Sequence, residues 1–139
     1  MATTIAPYFT PLLSKSDYTA LVRPQTGITI LVAHWPNDST SAALASALTR
    51  LLPRRDFAAF NITDAYLFDV YALPELATEL DVTFVPTLMW FIDGVMDAVV
   101  WHPGVSVEGE SVAKGVERVV QRIRGREGVG IEEGSDSDW

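Results

Sequence analysis

Three apolar runs along the chain predict the central strands of a sheet. The first, "GITILVAHW" at residues 27–35, is continuous and rich in β-branched residues, which is typical of a strand covered on both faces. The second and third runs are "DFAAFNI" at residues 56–62 and "PTLMWFI" at residues 86–92. An Asp-Gly pair follows the third run and signals a hairpin, so residues 95–101 are predicted to return antiparallel to it.

The stretches between and after these runs show the spacing and the end signals of helices. Leucines recur on one helical face after Asp38 and Ser39, either of which can serve as an N-cap. Helices are predicted over residues 14–22, from that cap to about residue 52, over residues 75–80 and from about residue 107 to residue 124. This order predicts an α/β fold, in which a mixed sheet has helices on both faces.

Composition excludes several classes of chemistry. The chain has 139 residues, of which 48% are hydrophobic, and such a chain can bury a core without covalent cross-links. It contains no cysteine, which excludes disulfides, thiolate metal sites and thiol redox chemistry carried by its own side chains. The net charge is −8 and no basic patch stands out, so nucleic acid is not a predicted partner. No apolar run reaches the length of a membrane span, so a membrane is not a predicted partner either.

The two ends of the chain carry different signals. The first residues lack the basic region of a secretory signal and the arginines of a transit peptide, so we expect a cytoplasmic or nuclear protein. Residues 1–124 are predicted to form one domain and the Gly-rich, acidic residues 125–139 a flexible tail. In the tail, Ser135 resembles an acidic-directed phosphorylation site, and Trp139 among acids resembles a short linear motif. The alternative is that the tail only confers solubility.

The segments "ILVAHW", "FNI" and "VPTLMWFIDGVM" occur in an order and at a spacing that resemble thioredoxin over residues 8–124. The resemblance implies a three-layer α/β/α sandwich and a cis peptide bond between Val85 and Pro86. In that family the backbone before this proline pairs with an extended segment of a partner protein, a use that needs no thiol.

The redox chemistry of that family is not implied for this chain. Laid on Trp35, the two cysteine positions of the family's W-C-G-P-C motif fall on Ser39 and Ala42. The family's buried aspartate matches Ala33, and the lysine that partners it matches Ala59. Buried charges are costly to keep without a role, so the joint loss of thiols and charges predicts a redox-inactive relative that is not an enzyme.

The resemblance also implies an aromatic insert, because the connection between Asn61 and Pro86 is longer than in a typical thioredoxin. Its aromatic side chains are expected to contact a partner or a second copy of the chain, although packing onto the body is the alternative. The predicted binding surface therefore comprises Trp35, Asp38, Ser39, Ala42, Tyr66, Phe68, Tyr71, Val85 and Pro86.

The function predicted from these features is that of a non-catalytic protein-binding or scaffold subunit without a cofactor. The alternative is an enzyme or binder that acts on a small thiol or peptide ligand such as glutathione. A nucleophile built from Ser39, His102 and Asp38 is the sharpest catalytic hypothesis, but no elbow or oxyanion motif accompanies the serine. The histidines and carboxylates lack metal-ligand spacing, so no metal is predicted. Of the tryptophans, Trp90 is predicted to be buried and Trp101 to be partly exposed.

Overall fold

The computed structural model describes residues 8–97, 100–105 and 109–129, and in the last range it describes side chains as far as residue 124. Most of the predicted tail falls outside these ranges, as do Ser135 and Trp139. The proposals for those two residues therefore stay predictions from sequence.

A mixed sheet forms the centre of the fold. It contains β1 (Thr10–Pro11), β2 (Ile28–His34), β3 (Ile62–Asp69), β4 (Thr87–Ile92) and β5 (Val95–Met96), in the order β1-β3-β2-β4-β5. β3 is parallel to both β1 and β2, whereas β4 is antiparallel to both β2 and β5. β5 is shorter than predicted, and Trp101 instead forms an isolated antiparallel bridge with Leu88.

Helices flank the sheet and begin at the signals that the sequence carries. In the described part of the chain they are α1 (Lys15–Asp17), which continues as a π-helical turn at Tyr18–Val22, α2 (Ser39–Leu51), α3 (Pro74–Glu79) and α4 (Val112–Val129). The Ser14 side chain accepts a hydrogen bond from the Asp17 N–H, and Asp38 caps α2 in the same way. Pro74 is the first residue of α3, where its missing N–H costs nothing. The predicted starts of these three helices are confirmed to within one residue.

Buried side chains pack on both faces of the sheet, so the molecule has three layers. Ile30 and Val32 of β2 face one cluster, which includes residues of α2 and α4. Leu31 and Ala33 alternate with them and face a second cluster, which includes residues of α3 and the π-helical turn. This arrangement confirms the predicted α/β/α sandwich and explains the continuous apolar run of β2.

Trp90 and Trp101 both belong to the cluster below α2 and α4. Trp90 is buried as predicted, but the prediction that Trp101 is partly exposed is wrong, because only 1% of it is exposed. Gly115 of α4 has no Cβ and lies directly against the Trp101 indole, so the ring can pack under the helix.

The predicted strand at residues 56–62 is wrong. Residues Arg54–Asp56 and Ala58–Phe60 form short 3-10 turns, and β3 begins only at Ile62. Asn61 adopts the left-handed conformation, with φ 59°, which turns the chain into β3. The run is apolar at its start because Phe57 is buried in the core from within the turn.

The last helix begins and ends later than predicted. It spans Val112–Val129 rather than residues 107–124. The Ser111 hydroxyl oxygen accepts a hydrogen bond from the Lys114 N–H, which is the contact of an N-cap. Gly109, two residues before this cap, has φ +81°, which is a conformation outside the helix.

Candidate binding site at the carboxyl end of the sheet

Three connections meet at one end of the sheet. His34, the last residue of β2, pairs in register with Asp69, the last residue of β3. Thr87, the first residue of β4, pairs with Ala33 of β2. The turn after β2, the turn after β3 and the loop that leads into β4 therefore lie side by side at this end. In open α/β sheets the carboxyl ends of the strands are the usual place for a ligand.

Two exposed aromatic rings cover the β2 and β3 turns. Trp35 is 45% exposed and Tyr71 is 68% exposed. Their ring centroids lie 5.1 Å apart with an interplanar angle of 72°, an edge-to-face contact. The pair forms a ridge of apolar surface with polar edges.

A buried hydroxyl holds the Trp35 turn onto the start of α2. Ser41 Oγ accepts a hydrogen bond from the Trp35 N–H at 3.2 Å and donates one to Asp38 Oδ2 at 3.0 Å. The same carboxylate oxygen accepts from the Ser41 N–H at 2.9 Å. Sequence reasoning missed Ser41, because the capping-box signal three residues after an N-cap is a glutamate or glutamine rather than a serine.

The two residues that the resemblance aligns with the cysteines of thioredoxin lie on the first turn of α2. Ser39 is its first residue and Ala42 follows three residues later, and both are exposed. The hydroxyl of Ser39 makes no hydrogen bond to His102, although both residues are described, and Asp38 uses its carboxylate to cap the helix. The geometry therefore lacks the Ser39–His102–Asp38 arrangement that nucleophilic catalysis requires.

A second aromatic pair lies beside the loop that leads into β4. The Phe84 and His102 rings are stacked, with centroids 4.7 Å apart and an interplanar angle of 8°. Phe84 is 44% exposed. His102 Nδ1 accepts a hydrogen bond from the Gly104 N–H at 3.0 Å, and burial lowers the pKa of this imidazole. Phe84 was not among the predicted site residues, although it stands two residues before Pro86.

The loop itself presents an unbonded backbone N–H and an unbonded carbonyl at Val85. The Val85–Pro86 bond is cis, Pro86 is buried and Val85 is half-buried. The Phe84 carbonyl accepts a hydrogen bond from the Thr87 hydroxyl at 2.6 Å. By contrast, neither the N–H nor the carbonyl of Val85 takes part in a hydrogen bond with any described residue.

His34 adds a neutral polar side chain at the centre of this end. The imidazole is half-buried, and burial lowers its pKa, while the neighbouring Asp69 carboxylate opposes that shift. Asp69 Oδ1 also accepts a hydrogen bond from the Tyr71 N–H at 2.8 Å, which fixes the turn that carries Tyr71.

Tyr66 and Phe68 are not part of this surface, so their prediction as partner contacts is wrong. They lie in β3 and are 3% and 0% exposed, because the presumed insert is the strand itself. The prediction of a homodimer through that insert loses its basis for the same reason. Of the three aromatic residues predicted to make contacts from the insert, Tyr71 alone is exposed.

The match of Ala59 to the family's lysine is also wrong. Ala59 is exposed in a 3-10 turn before β3, at the amino end of the sheet, whereas Ala33 lies at the carboxyl end. The β3 residue beside Ala33 is Phe68, which is fully buried. Ala33 therefore has an apolar neighbour where the resemblance implied a lost charge.

The described residues contain no group of three or more histidines, aspartates or glutamates placed to hold a metal ion. Within the same residues, no helix is both long enough and apolar enough to cross a membrane.

Comparison with solved structures shows the thioredoxin fold. Fasciola hepatica thioredoxin is 16% identical with a TM-score of 0.61, over 84% of this chain and 97% of that one. Malassezia sympodialis thioredoxin, Mala s 13, is 12% identical with a TM-score of 0.60, over 91% of this chain and 98% of that one. Mitochondrial thioredoxin 3 from Saccharomyces cerevisiae is 20% identical with a TM-score of 0.55, over 65% of this chain and 79% of that one. No family model and no curated protein matches the sequence. The chain has a thioredoxin-like fold without a cysteine.

Proposed function

We propose that this domain is a non-catalytic protein-binding subunit, which holds an extended segment of a partner across the carboxyl end of its sheet. The observation that carries the proposal is the unbonded backbone N–H and carbonyl of Val85, at an end of the sheet that also exposes aromatic side chains. Phe84 precedes it in the chain, and the Trp35–Tyr71 pair lies at the same end of the sheet.

The unbonded N–H and carbonyl of Val85 support a mode of binding in which backbone pairs with backbone. A donor and an acceptor that find no partner within the protein can pair with an extended chain, which is β-augmentation on a short scale. Such pairing gives affinity without demanding a particular sequence. The aromatic side chains around it would supply the buried apolar contacts that dominate protein interfaces.

The chemistry of the turn supports a role without catalysis. The chain has no thiol, and the resemblance to thioredoxin aligns Ser39 and Ala42 with the cysteine positions of that family. An insulin-reduction assay should therefore show no rate above buffer, with a thioredoxin as the positive control. Clear reductase activity would overturn this part of the proposal.

A capture experiment tests the binding surface. The wild-type chain and a Trp35→Ala, Val85→Asp double variant are used as bait in extract from the organism that makes the protein. We expect the variant to lose partners that the wild type retains. A matched control is Val95→Asp, because Val95 is 69% exposed at the opposite end of the sheet. Equal recovery by all three baits would show that the surface is wrong.

Calorimetry with reduced glutathione addresses the alternative of a small peptide ligand. The backbone N–H and carbonyl of Val85 can pair with the backbone of glutathione, so this ligand is a fair competitor. We expect no measurable heat of binding at millimolar ligand, and saturable binding that Val85→Asp abolishes would favour the alternative.

A further inference from the structure

A cavity of about 380 Å³ opens on the α3 side of the sheet, next to the Val85–Pro86 loop. Its lining comes from the end of α3, the loop that follows, β4, β5 and the Trp101 region. The residues that line it are Glu79, Leu80, Asp81, Val82, Thr83, Thr87, Met89, Met96, Val100 and His102. Its volume lies within the range of small-ligand pockets.

The floor of the cavity is apolar and its rim is acidic. Met89 and Leu80 are 1% and 9% exposed and form buried apolar lining. Glu79 and Asp81 are exposed at the rim, and neither a lysine nor an arginine is among the lining residues. Such a lining suits a ligand with an apolar stem and a cationic head.

Internal cations do not satisfy these two carboxylates fully. Glu79 forms a salt bridge with Lys15 at 2.8 Å, but both side chains are exposed, so the pair is weak and readily exchanged. No salt bridge in the described part of the chain involves Asp81.

Asp81 occupies a position that is unfavourable for an aspartate. It follows the C-cap of α3 with φ 59°, and the Val82 N–H bonds to the Ala77 carbonyl, as in a Schellman motif. This left-handed position favours glycine or asparagine, and a negative charge at a helix carboxyl end is electrostatically unfavourable. The carboxylate of Asp81 is therefore not explained by the stability of the fold.

We propose that this cavity accepts a lysine or arginine side chain from the segment that binds at Val85, a proposal that rests on the function proposed above. The methylene stem lies against Met89 and the other apolar lining, and the charged head reaches Glu79 and Asp81. The cavity is close enough to share one segment, because its lining residues Thr83 and Thr87 flank the Val85–Pro86 loop.

A random peptide library displayed on phage tests the inference. It is selected against the full chain and against a Glu79→Gln, Asp81→Asn double variant, with Val95→Asp as the surface control. We expect peptides from the wild type and the control to be enriched in lysine or arginine beside apolar residues. Replacement of that basic residue by norleucine should weaken binding to the wild type roughly threefold to tenfold, and should matter little on the double variant.

The outcomes separate the two proposals. The inference is overturned if the peptides that bind at Val85 are not enriched in basic residues. It is also overturned if they are equally enriched on the double variant. Either result leaves the binding function standing. Failure to select any peptide whose binding depends on Val85 overturns the binding function and the inference together. Thermal unfolding shows whether the double variant is folded, and Asp81→Asn alone should not lower the melting temperature.

Discussion

A single buried hydroxyl determines where the Trp35 backbone lies. Ser41 is 4% exposed, and it links the carboxylate that caps α2 to the N–H of the residue that begins the exposed turn. Asparagine in place of Asp38 would still cap the helix. At residue 41, by contrast, a small hydroxyl side chain is needed to accept from the Trp35 N–H and donate to the residue 38 side chain.

Ser41→Ala should lower the free energy of unfolding by about 1–2 kcal/mol, because it leaves the Trp35 N–H without its partner. Urea denaturation followed by Trp35 and core tryptophan fluorescence measures the change. The matched control is Ser46→Ala, since Ser46 is exposed on the same helix and alanine favours helix. Equal stability of the two variants would contradict the role assigned to Ser41.

The burial of Trp101 could not be predicted from its neighbours in sequence. His102 and Pro103 stand next to it and suggested an exposed strand end. The space for the indole is provided by Gly115, a residue of α4 that reaches Trp101 only in the folded chain. Local patterns do not contain such long-range contacts.

Strand β3 shows why an apolar run alone misplaces an element. Residues 57–60 and residues 65–68 are both apolar and aromatic, and either could be a strand from its composition. The left-handed Asn61 between them decides the outcome, and asparagine is one of the few residues that adopt this conformation readily. The asparagine was therefore a usable signal for the start of β3.

Phe68 in β3 and Tyr71 in the turn after it should contribute very differently to stability, because their exposure differs. Phe68→Ala should cost about 3–5 kcal/mol, because the ring is fully buried. Tyr71→Ala should cost less than about 1 kcal/mol, because Tyr71 is 68% exposed and its ring makes an edge-to-face contact with the exposed Trp35. Chemical denaturation of both variants tests this, and a large loss on Tyr71→Ala would show that it is part of the core.

Helix α4 depends on a glycine within its first turns. A Cβ added at Gly115 would overlap the Trp101 indole. Gly115→Ala should therefore destabilise the fold by about 1–3 kcal/mol, although alanine is otherwise the better helix former by about 1 kcal/mol.

The measurement is the urea midpoint, with Gln121→Ala on the exposed side of the same helix as the control. A Trp101→Leu substitution should remove the clash, so its effect and that of Gly115→Ala should not add. Stabilisation by Gly115→Ala alone would show that the helix can shift away from the ring.

The two ends of the sheet differ, because hydrogen bonds join the connections at the amino end, whereas the carboxyl end leaves the Val85 backbone unbonded. At the amino end, the Gly27 N–H donates to Asp93 Oδ1 and the Asp93 N–H donates to the Gly27 carbonyl, both at 2.9 Å. The Ile28 N–H donates to the Asn61 carbonyl at 2.8 Å. The carboxyl end carries the exposed aromatic rings and both histidines.

The stability of the domain should fall as the pH is lowered. Burial lowers the pKa of His34 and His102 below the usual 6.5, so the unfolded chain binds protons that the folded chain does not. The contribution of the two neutral histidines to the free energy of unfolding is complete above pH 6.5, the pKa of histidine in the unfolded chain. It decreases as the pH falls from 6.5 through the lower pKa values of the folded chain.

Urea unfolding between about pH 7.5 and about pH 5.5 measures this dependence. A His34→Gln, His102→Gln double variant should show a shallower pH dependence than the wild type over the same range. An unchanged slope would show that other groups determine it.

For the whole molecule, the sequence was sufficient to predict the three layers, although it placed β3 at residues 56–62 instead of Ile62–Asp69. The apolar run of β2, the cap at Asp38 and the segment from Pro86 to the hairpin define the sheet and its flanking helices, and each depends on local signals. The proposed binding surface was predictable only in part, because Phe84 and Ser41 acquire their roles from neighbours brought together by folding.

The unbonded N–H of Val85 has a consequence for the exchange of amide hydrogens with solvent. Amides held in the ladder of β2 exchange only when the sheet opens, whereas an unbonded, partly exposed amide exchanges at close to its intrinsic rate. The Val85 amide should therefore deuterate early in the isolated domain and become protected when a segment pairs with it. Mass spectrometry of that one position would report occupancy of the surface without any label on the partner.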